Sequence, residues 1–155
     1  MRVLVALCAS LLVGTSLVAQ TPDSAGKAGK ALTWGPAPAV FPAGVKMAVV
    51  SGNPAAAGPF TVQLAMPDGY KIMPHTHPTD ERVTIRQGTL LVGMGDSFDA
   101  AKTNPMLTGA SGNVPAKMSH FVQAKGATVV EVSTTGPFAM TYVNPSDDPS
   151  KKAAP

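Results

Sequence analysis

A series of short apolar runs, separated by turn residues, begins at residue 45 and constrains the fold more than any other feature of the chain. In the run FTVQLAMP (60–67), apolar and more polar residues alternate strictly, which is typical of a strand with one buried face. Gly88 and the pair Lys125-Gly126 are interpreted as turns, and the looser stretch 96–113 is expected to contain a short helical turn. The pattern predicts about eight strands and no long helix, and therefore an antiparallel sandwich or barrel. The predicted strands are VKMAVVSG, FTVQLAMP, YKIMPHTH, ERVTIR, TLLVGMG, SHFVQA, ATVVEVSTT and FAMTYVN.

Composition supports one domain of this class. The chain has 155 residues, 45% of them hydrophobic and only 14% charged, with 15 glycines and 15 prolines. That content excludes a disordered polar chain and favours many turns. We divide the sequence into a signal peptide (1–20), a linker or N-terminal arm (21–44), a barrel (45–144) and a polar tail (145–155). Trp34, the only tryptophan, is expected to anchor the arm by burying its ring.

The first twenty residues are typical of a secretory signal. Arg2 precedes an apolar run of about 12 to 16 residues, which is shorter than the ~20 that a spanning helix needs. Small and polar residues follow, and cleavage is expected near Ala19 or Gln20. The alternative is a short membrane anchor. We therefore predict a secreted or periplasmic protein with no stable membrane insertion after cleavage. Cys8, the only cysteine, would be removed with the signal, which excludes disulfide and thiolate chemistry in the mature chain.

The charge distribution argues against a nucleic-acid partner. The formal net charge is +3, but the basic residues are scattered and no stripe or cluster forms before Lys151 and Lys152. We predict no nucleic-acid binding. The expected partner is a small molecule, and a homodimer remains open.

Two of the three histidines lie one residue apart in GYKIMPHTHPTDERVTIRQG (69–88). Residues i and i+2 of a strand share a face, so Met73, His75 and His77 are expected to point the same way. Glu81 opens the next strand on the same face as two apolar residues, which places its carboxylate in the interior. An unpaired carboxylate there would be costly. Two inward imidazoles could share a cation with it. His120 opens a later strand and could reach the same cavity, which would give three imidazoles and one carboxylate.

Two segments resemble the motifs of the cupin superfamily. Residues 69–88 read Gly69, five residues, His75-x-His77, three residues, Glu81, six residues and Gly88, which is similar to the first cupin motif. Residues 109–120 read Gly109, five residues, Pro115 and His120 five positions later, which resembles the second motif in part. Lys117 stands where the family usually has glycine, and Ala124 where it often has asparagine.

The resemblance covers roughly residues 45–144 and implies an antiparallel jelly-roll (cupin) β-barrel, here with an irregular N-terminal arm. It implies a divalent metal inside the barrel, held by His75, His77, Glu81 and His120. Fe or Mn suits a shell of imidazoles and a carboxylate, and Zn, Ni or Cu is also compatible. Lys117 predicts a strained turn before His120, because glycine normally relieves strain there.

Other side chains are weaker candidates for the site. Asp80 is interpreted as a solvated turn residue and the methionines as core filling, although thioethers can bind copper. Tyr142 is interpreted as core, with its hydroxyl able to reach the cavity. The methionines considered are Met73, Met94, Met118 and Met140, and the candidate general bases are Tyr70, Lys71, Asp80, Lys117 and Tyr142.

Three classes of function fit a small barrel with such a site. A metal-dependent oxygenase or isomerase-type enzyme would act on a small molecule, but isomerisation normally needs a general base near the metal. A non-enzymatic module would bind a metal or a small, partly apolar ligand. A structural role would use the barrel as a dimerisation scaffold. The sequence leaves open whether the protein is an enzyme.

Overall fold

Antiparallel pairing organises the protein. The computed structural model describes residues 31–151; the predicted signal peptide, the first part of the arm and the last four residues lie outside this range. The all-β prediction is confirmed. Three short 3-10 turns accompany the strands, at Ala100–Lys102, Pro145–Asp147 and Pro149–Lys151. The nine strands are β1 (Gly35–Pro36), β2 (Lys46–Ser51), β3 (Gly58–Met66), β4 (Lys71–Thr76), β5 (Glu81–Met94), β6 (Asn104–Leu107), β7 (Ser111–Val114), β8 (His120–Gly136) and β9 (Thr141–Tyr142).

The long strand β8 connects the two parts of the sheet. Its first residues pair with β4 and its later residues with β3, while β5 runs along nearly its whole length. Strands β6 and β7 pair with the other edge of β5, and β1 and β2 extend the sheet beyond β3. Every pair is antiparallel, and the curled sheet forms the predicted jelly-roll barrel.

Two predicted turns are bulges within continuous strands. β5 continues through Gly88 and β8 through Gly126, and the register between the two strands shifts around Gln87. Gly88 has φ +78°, and a Cβ there would lie 2.5 Å from the carbonyl oxygen of Ala127. Glycine is therefore needed at this position, because it permits both the positive φ and the close approach of the two strands. The bulge bends the strand without ending it.

The stretch 96–113 contains more structure than its sequence suggested. The expected helical turn is present at Ala100–Lys102, and the side chain of Asp99 accepts a hydrogen bond from the Ala101 amide at its start. The same stretch also supplies β6 and β7, which the sequence analysis missed. These strands are four residues each and mostly exposed, so they lack the apolar alternation that reveals a strand.

The core lies on the concave side of the sheet. The alternation predicted for β3 is confirmed, since the four residues of its inward face, Phe60, Val62, Leu64 and Met66, are at most 4% exposed. Each such side chain contributes about 1.5–3 kcal/mol relative to exposure. Ile85, Leu90, Val130 and Val132 from β5 and β8 complete this layer. Among residues 31–151, the structure contains no helix long and apolar enough to cross a membrane.

The described part of the arm docks through Phe41, not through Trp34. The Trp34 side chain is 38% exposed, so the prediction that it buries its ring is wrong. Phe41 is buried and stacks on Phe138, with ring centroids 5.6 Å apart and planes 10° apart. Two buried tyrosine hydroxyls donate to arm carbonyls: Tyr70 to Pro42 at 2.6 Å and Tyr142 to Val40 at 2.9 Å. Phe41 is the better anchor because a ring that packs against another ring inside the barrel loses more water-accessible surface than a ring on the outer surface.

Candidate metal centre

Strand β4 and the residue directly after it turn the two neighbouring histidines inward. His75 is 3% and His77 8% exposed. The prediction that Met73 shares their face is wrong, because the register of β4 against β8 shifts between Ile72 and His75. That irregularity turns Ile72 into the cavity instead, and Met73 is only partly buried outside it. A one-residue irregularity changes which side chains face inward, and periodicity alone cannot reveal it.

His120, the first residue of β8, joins His75 and His77. It is the cross-strand partner of His75 and is 3% exposed. The imidazole centroids lie 4.2 Å apart for His75 and His120, 5.0 Å for His75 and His77, and 5.4 Å for His77 and His120. One ring nitrogen from each lies within 4.8 Å of those of the other two. The three histidines thus converge on one point inside the barrel.

Glu81 occupies the interior position expected from its strand. It is the first residue of β5 and is 8% exposed. Its Oε2 lies 3.6 Å from Nε2 of His77 and 3.5 Å from Nε2 of His120. The structure therefore places Glu81 beside two of the three histidines, whereas the group whose ligand atoms all lie within 4.8 Å of one another consists of the three histidines.

The backbone orients each imidazole. Nδ1 lies 2.8 Å from the Met73 carbonyl oxygen in His75, 2.9 Å from that of Ala139 in His77 and 3.2 Å from that of Met118 in His120. A carbonyl oxygen only accepts, so we assign the proton of each neutral ring to Nδ1. Nε2 then keeps its lone pair, and in His77 and His120 it lies beside the Glu81 carboxylate. Metal-bound histidines commonly show this arrangement, in which the second nitrogen donates to a carbonyl.

Burial keeps His75 neutral. Loss of solvent lowers the pKa of His75 well below its usual value of 6.5, and the repulsion that a protonated His75 ring would meet from His120 and then from His77 lowers it further, against a smaller opposite effect of the Met73 carbonyl. Because the shift disfavours the protonated ring, His75 presents a free lone pair at neutral pH. The three converging imidazoles fit a divalent transition-metal ion.

The cluster opens into an apolar cavity of about 500 Å³. Apart from Asn113, its remaining walls are apolar groups from the strands, the arm, the loop before β3 and the segment before β9. Among the methionines considered above, Met140 lines the cavity, whereas Met94 and Met118 are 48% and 44% exposed at the surface. A site of this volume is within the range for small-molecule ligands, ~300–1,000 Å³.

The remaining candidates lie away from the described cavity wall. Exposed Asp80 accepts a hydrogen bond from the Ala116 amide at 2.8 Å and so fixes the loop before His120. Lys117 has φ +64°, which agrees with the strain predicted for that turn, and its amide donates to the His77 carbonyl at 2.7 Å. The Lys71 ammonium lies 4.9 Å from the centre of the Phe98 ring.

Sequence reasoning missed two contributors to the site. Asn113 lines the cavity from β7, a strand that was not predicted. Ala139 supplies the carbonyl that orients His77, and no side-chain pattern reports on a backbone acceptor. Only the position of Asn113 before the apolar Val114 offered a weak signal.

The fold and the cluster define a small β-barrel with an internal histidine site. No protein-family model matches the sequence, and no significant match exists among curated proteins. Solved structures do match. An RmlC-like cupin from Shewanella frigidimarina is 15% identical, with a TM-score of 0.51 over 61% of this chain and 80% of its own.

A putative acetylacetone dioxygenase from Methylibium petroleiphilum is 22% identical, with a TM-score of 0.59 over 76% of this chain and 79% of its own. The polyketide cyclase RemF from Streptomyces resistomycificus is 15% identical, with a TM-score of 0.56 over 69% and 76%. The chain therefore has the cupin fold, and the resemblance inferred from its two motifs is confirmed at that level.

Proposed function

We propose that the barrel binds a divalent metal ion through Nε2 of His75, His77 and His120 and the carboxylate of Glu81. The observation that carries the proposal is the orientation of the rings: each Nδ1 faces a backbone carbonyl, which leaves Nε2 as the free donor. Fe or Mn is the favoured ion, and Zn, Ni or Cu is also compatible.

We further propose that the centre serves a metal-dependent oxygenase acting on a small molecule. A redox-active ion supplies Lewis acidity and one-electron chemistry at such a site. The chain's residues hold the ion and exclude water with apolar walls. An isomerase is the weaker form of the proposal, because it needs a general base and the other polar side chain of the described cavity wall, Asn113, is not one. The fold shared with a putative dioxygenase is compatible with either.

The same lack of a general base favours a second candidate, a non-enzymatic module that binds a metal or small ligand. Oxygen consumption distinguishes the two. With Fe²⁺-loaded protein and candidate substrates, an oxygenase consumes oxygen in proportion to substrate, whereas a binding module leaves the oxygen concentration unchanged while still retaining ligand.

Elemental analysis of purified protein tests the metal site itself. The wild type is expected to carry up to one ion per chain, and His75→Ala and Glu81→Ala are expected to lose most of it. Asp80→Asn is the matched control, because it removes a neighbouring exposed carboxylate and keeps the oxygen that accepts from Ala116. Equal metal content in all four proteins would exclude this site.

A secreted or periplasmic location is part of the proposal. Its support is the N-terminal sequence, with Arg2 before an apolar run and small residues near Ala19. Mass spectrometry of the mature protein is expected to find an N-terminus near residue 20 or 21. An intact N-terminus in the cytoplasmic fraction would contradict this.

A further inference from the structure

The described part of the arm is held on both sides of Phe41. The hydroxyl of Tyr142 donates to the Val40 carbonyl at 2.9 Å. On the other side, the hydroxyl of Tyr70 donates to the Pro42 carbonyl at 2.6 Å. Both tyrosines belong to the buried core, where a hydroxyl without a partner would be costly. The two hydrogen bonds therefore hold the backbone around Phe41 against the barrel and fix the position of its buried ring.

The segment that contains Phe138 connects this point of the arm to the histidine cluster. The Phe138 segment (residues 137–140) lies between β8 and β9 and pairs with no strand. The Phe138 ring stacks on Phe41, with centroids 5.6 Å apart, and also contacts the His77 ring at 5.8 Å. The Phe138 amide donates to the Pro54 carbonyl at 2.7 Å. Because no strand ladder holds this segment, its position depends on that hydrogen bond and on the packing of its aromatic ring.

The Phe138 segment also orients one of the three imidazoles. Ala139 directly follows Phe138, and its carbonyl oxygen lies 2.9 Å from Nδ1 of His77. The other two rings face carbonyls two residues before them in the chain, so His75 and His120 carry their partners with them. Of the three imidazoles, His77 is therefore the one whose orientation depends on a segment that packs against the arm.

We propose that Phe41 is a positioning residue for the histidine cluster, because its ring holds the Phe138 segment in the place where that segment orients His77. Val40 and Phe41 also line the cavity, so docking of the arm completes one cavity wall and orients one imidazole in the same event. The consequence for metal affinity rests on the proposed metal centre. The orientation of His77 itself does not, and it can be measured in the metal-free protein.

Nuclear Overhauser contacts between ring protons test this orientation in the metal-free, full-length chain. The wild type is expected to show a contact between the His77 and Phe138 rings, whose centroids lie 5.8 Å apart. A second contact is expected between His75 and His120, whose centroids lie 4.2 Å apart. Phe41→Ala is expected to lose the first contact and to keep the second, because the arm packs on the Phe138 segment and not on the other two rings.

Phe98→Ala is the matched control and is expected to keep both contacts. It removes a partly buried ring that packs on Phe121, away from the described cavity wall. Thermal unfolding verifies that each variant folds, and Phe41→Leu, which keeps an apolar side chain but no flat ring, takes the place of Phe41→Ala if that variant does not. A His77–Phe138 contact of wild-type strength in the folded Phe41 variant would overturn the inference. Loss of both contacts would also overturn it, because that result shows general disruption of the barrel.

Competition titrations with Zn²⁺ connect the orientation of His77 to the metal centre. Loss of a group that orients a metal ligand weakens binding about 10–100-fold, so the folded Phe41 variant is expected to have a Zn²⁺ dissociation constant raised by about tenfold or more. Phe98→Ala is expected to match the wild type. If the wild type binds no Zn²⁺, the proposed centre fails and the ring contacts alone decide the inference. If the wild type and the Phe41 variant bind Zn²⁺ equally, the positioning role is overturned and the centre stands.

Discussion

Replacement of Glu81 by glutamine is expected to change metal affinity and metal-free stability in opposite directions. In the metal-free protein at pH 8, the Glu81 carboxylate is buried and its Oε2 lies 3.5–3.6 Å from two ring nitrogens that we assign as lone-pair donors. Those contacts offer the charge no proton. A glutamine amide can donate to one of the nitrogens, so the metal-free variant is expected to gain about 1 kcal/mol of unfolding free energy.

The metal-loaded protein is expected to respond the other way. Removing a residue that only hydrogen-bonds to a metal ligand weakens metal binding about 10–100-fold. Removing the only charged ligand is therefore expected to weaken metal binding about 100-fold or more. At a free metal concentration of about 100 times the wild-type dissociation constant, binding stabilises the native state by about 2.7 kcal/mol. With affinity reduced 100-fold, the variant's dissociation constant equals this same metal concentration. Metal binding then stabilises the native state of the variant by only about 0.4 kcal/mol.

Thermal unfolding with and without metal measures both effects. At roughly 3–5 °C per kcal/mol for a domain of this size, metal should raise the wild-type midpoint by about 10 °C and that of Glu81→Gln by about 2 °C. Equal shifts in the two proteins would show that Glu81 is not a ligand. A metal-free variant destabilised by more than ~2 kcal/mol would show that the carboxylate is a structural group instead.

Three further predictions concern the barrel. Gly93→Ala places a Cβ 2.2 Å from the buried ring of Phe121 and should cost about 1–3 kcal/mol in urea unfolding, while Gly35→Ala, with open space around it, should be near neutral. Lys117→Gly should gain about 0.5–1 kcal/mol by relieving a positive φ; a loss would refute the strain. Burial raises the pKa of Tyr142 to about 12, so the folded state holds its proton after the unfolded state has lost it, and stability should fall between about pH 10 and 12. Tyr142→Phe should flatten that decline, and an unchanged pH profile would contradict it.

The sequence predicted which histidines and carboxylate lie close together better than it predicted the strands around them. His75, His77 and Glu81 lie within seven consecutive residues, so local periodicity and one short turn place their side chains on a common face. His120 required a long-range assumption, which the cupin-like spacing supplied. The predicted interior carboxylate was the strongest clue, because the cost of burying it demands a partner.

Irregular backbone geometry limited the prediction of the other features of the fold. The shift after Ile72 reversed the expected orientation of Met73, and Gly88 and Gly126 continue their strands where they were interpreted as turns. A glycine with positive φ is equally suited to a turn and to a bulge, and only the partner strand decides between them. Likewise, the choice of Phe41 over Trp34 as anchor depends on a ring, Phe138, almost one hundred positions later.

The orientation of the three imidazoles depends on both local and long-range contacts. His75 and His120 each donate to the carbonyl two residues before them, Met73 and Met118, so their orientation is written into a local Met-x-His arrangement. His77 instead depends on Ala139, next to the Phe138 ring that stacks on the arm. One ring is therefore fixed within its own strand, the second by the segment just before its strand, and the third by a segment distant in sequence. The histidine cluster therefore reaches its final orientation only when the segment that contains Ala139 has packed against the barrel.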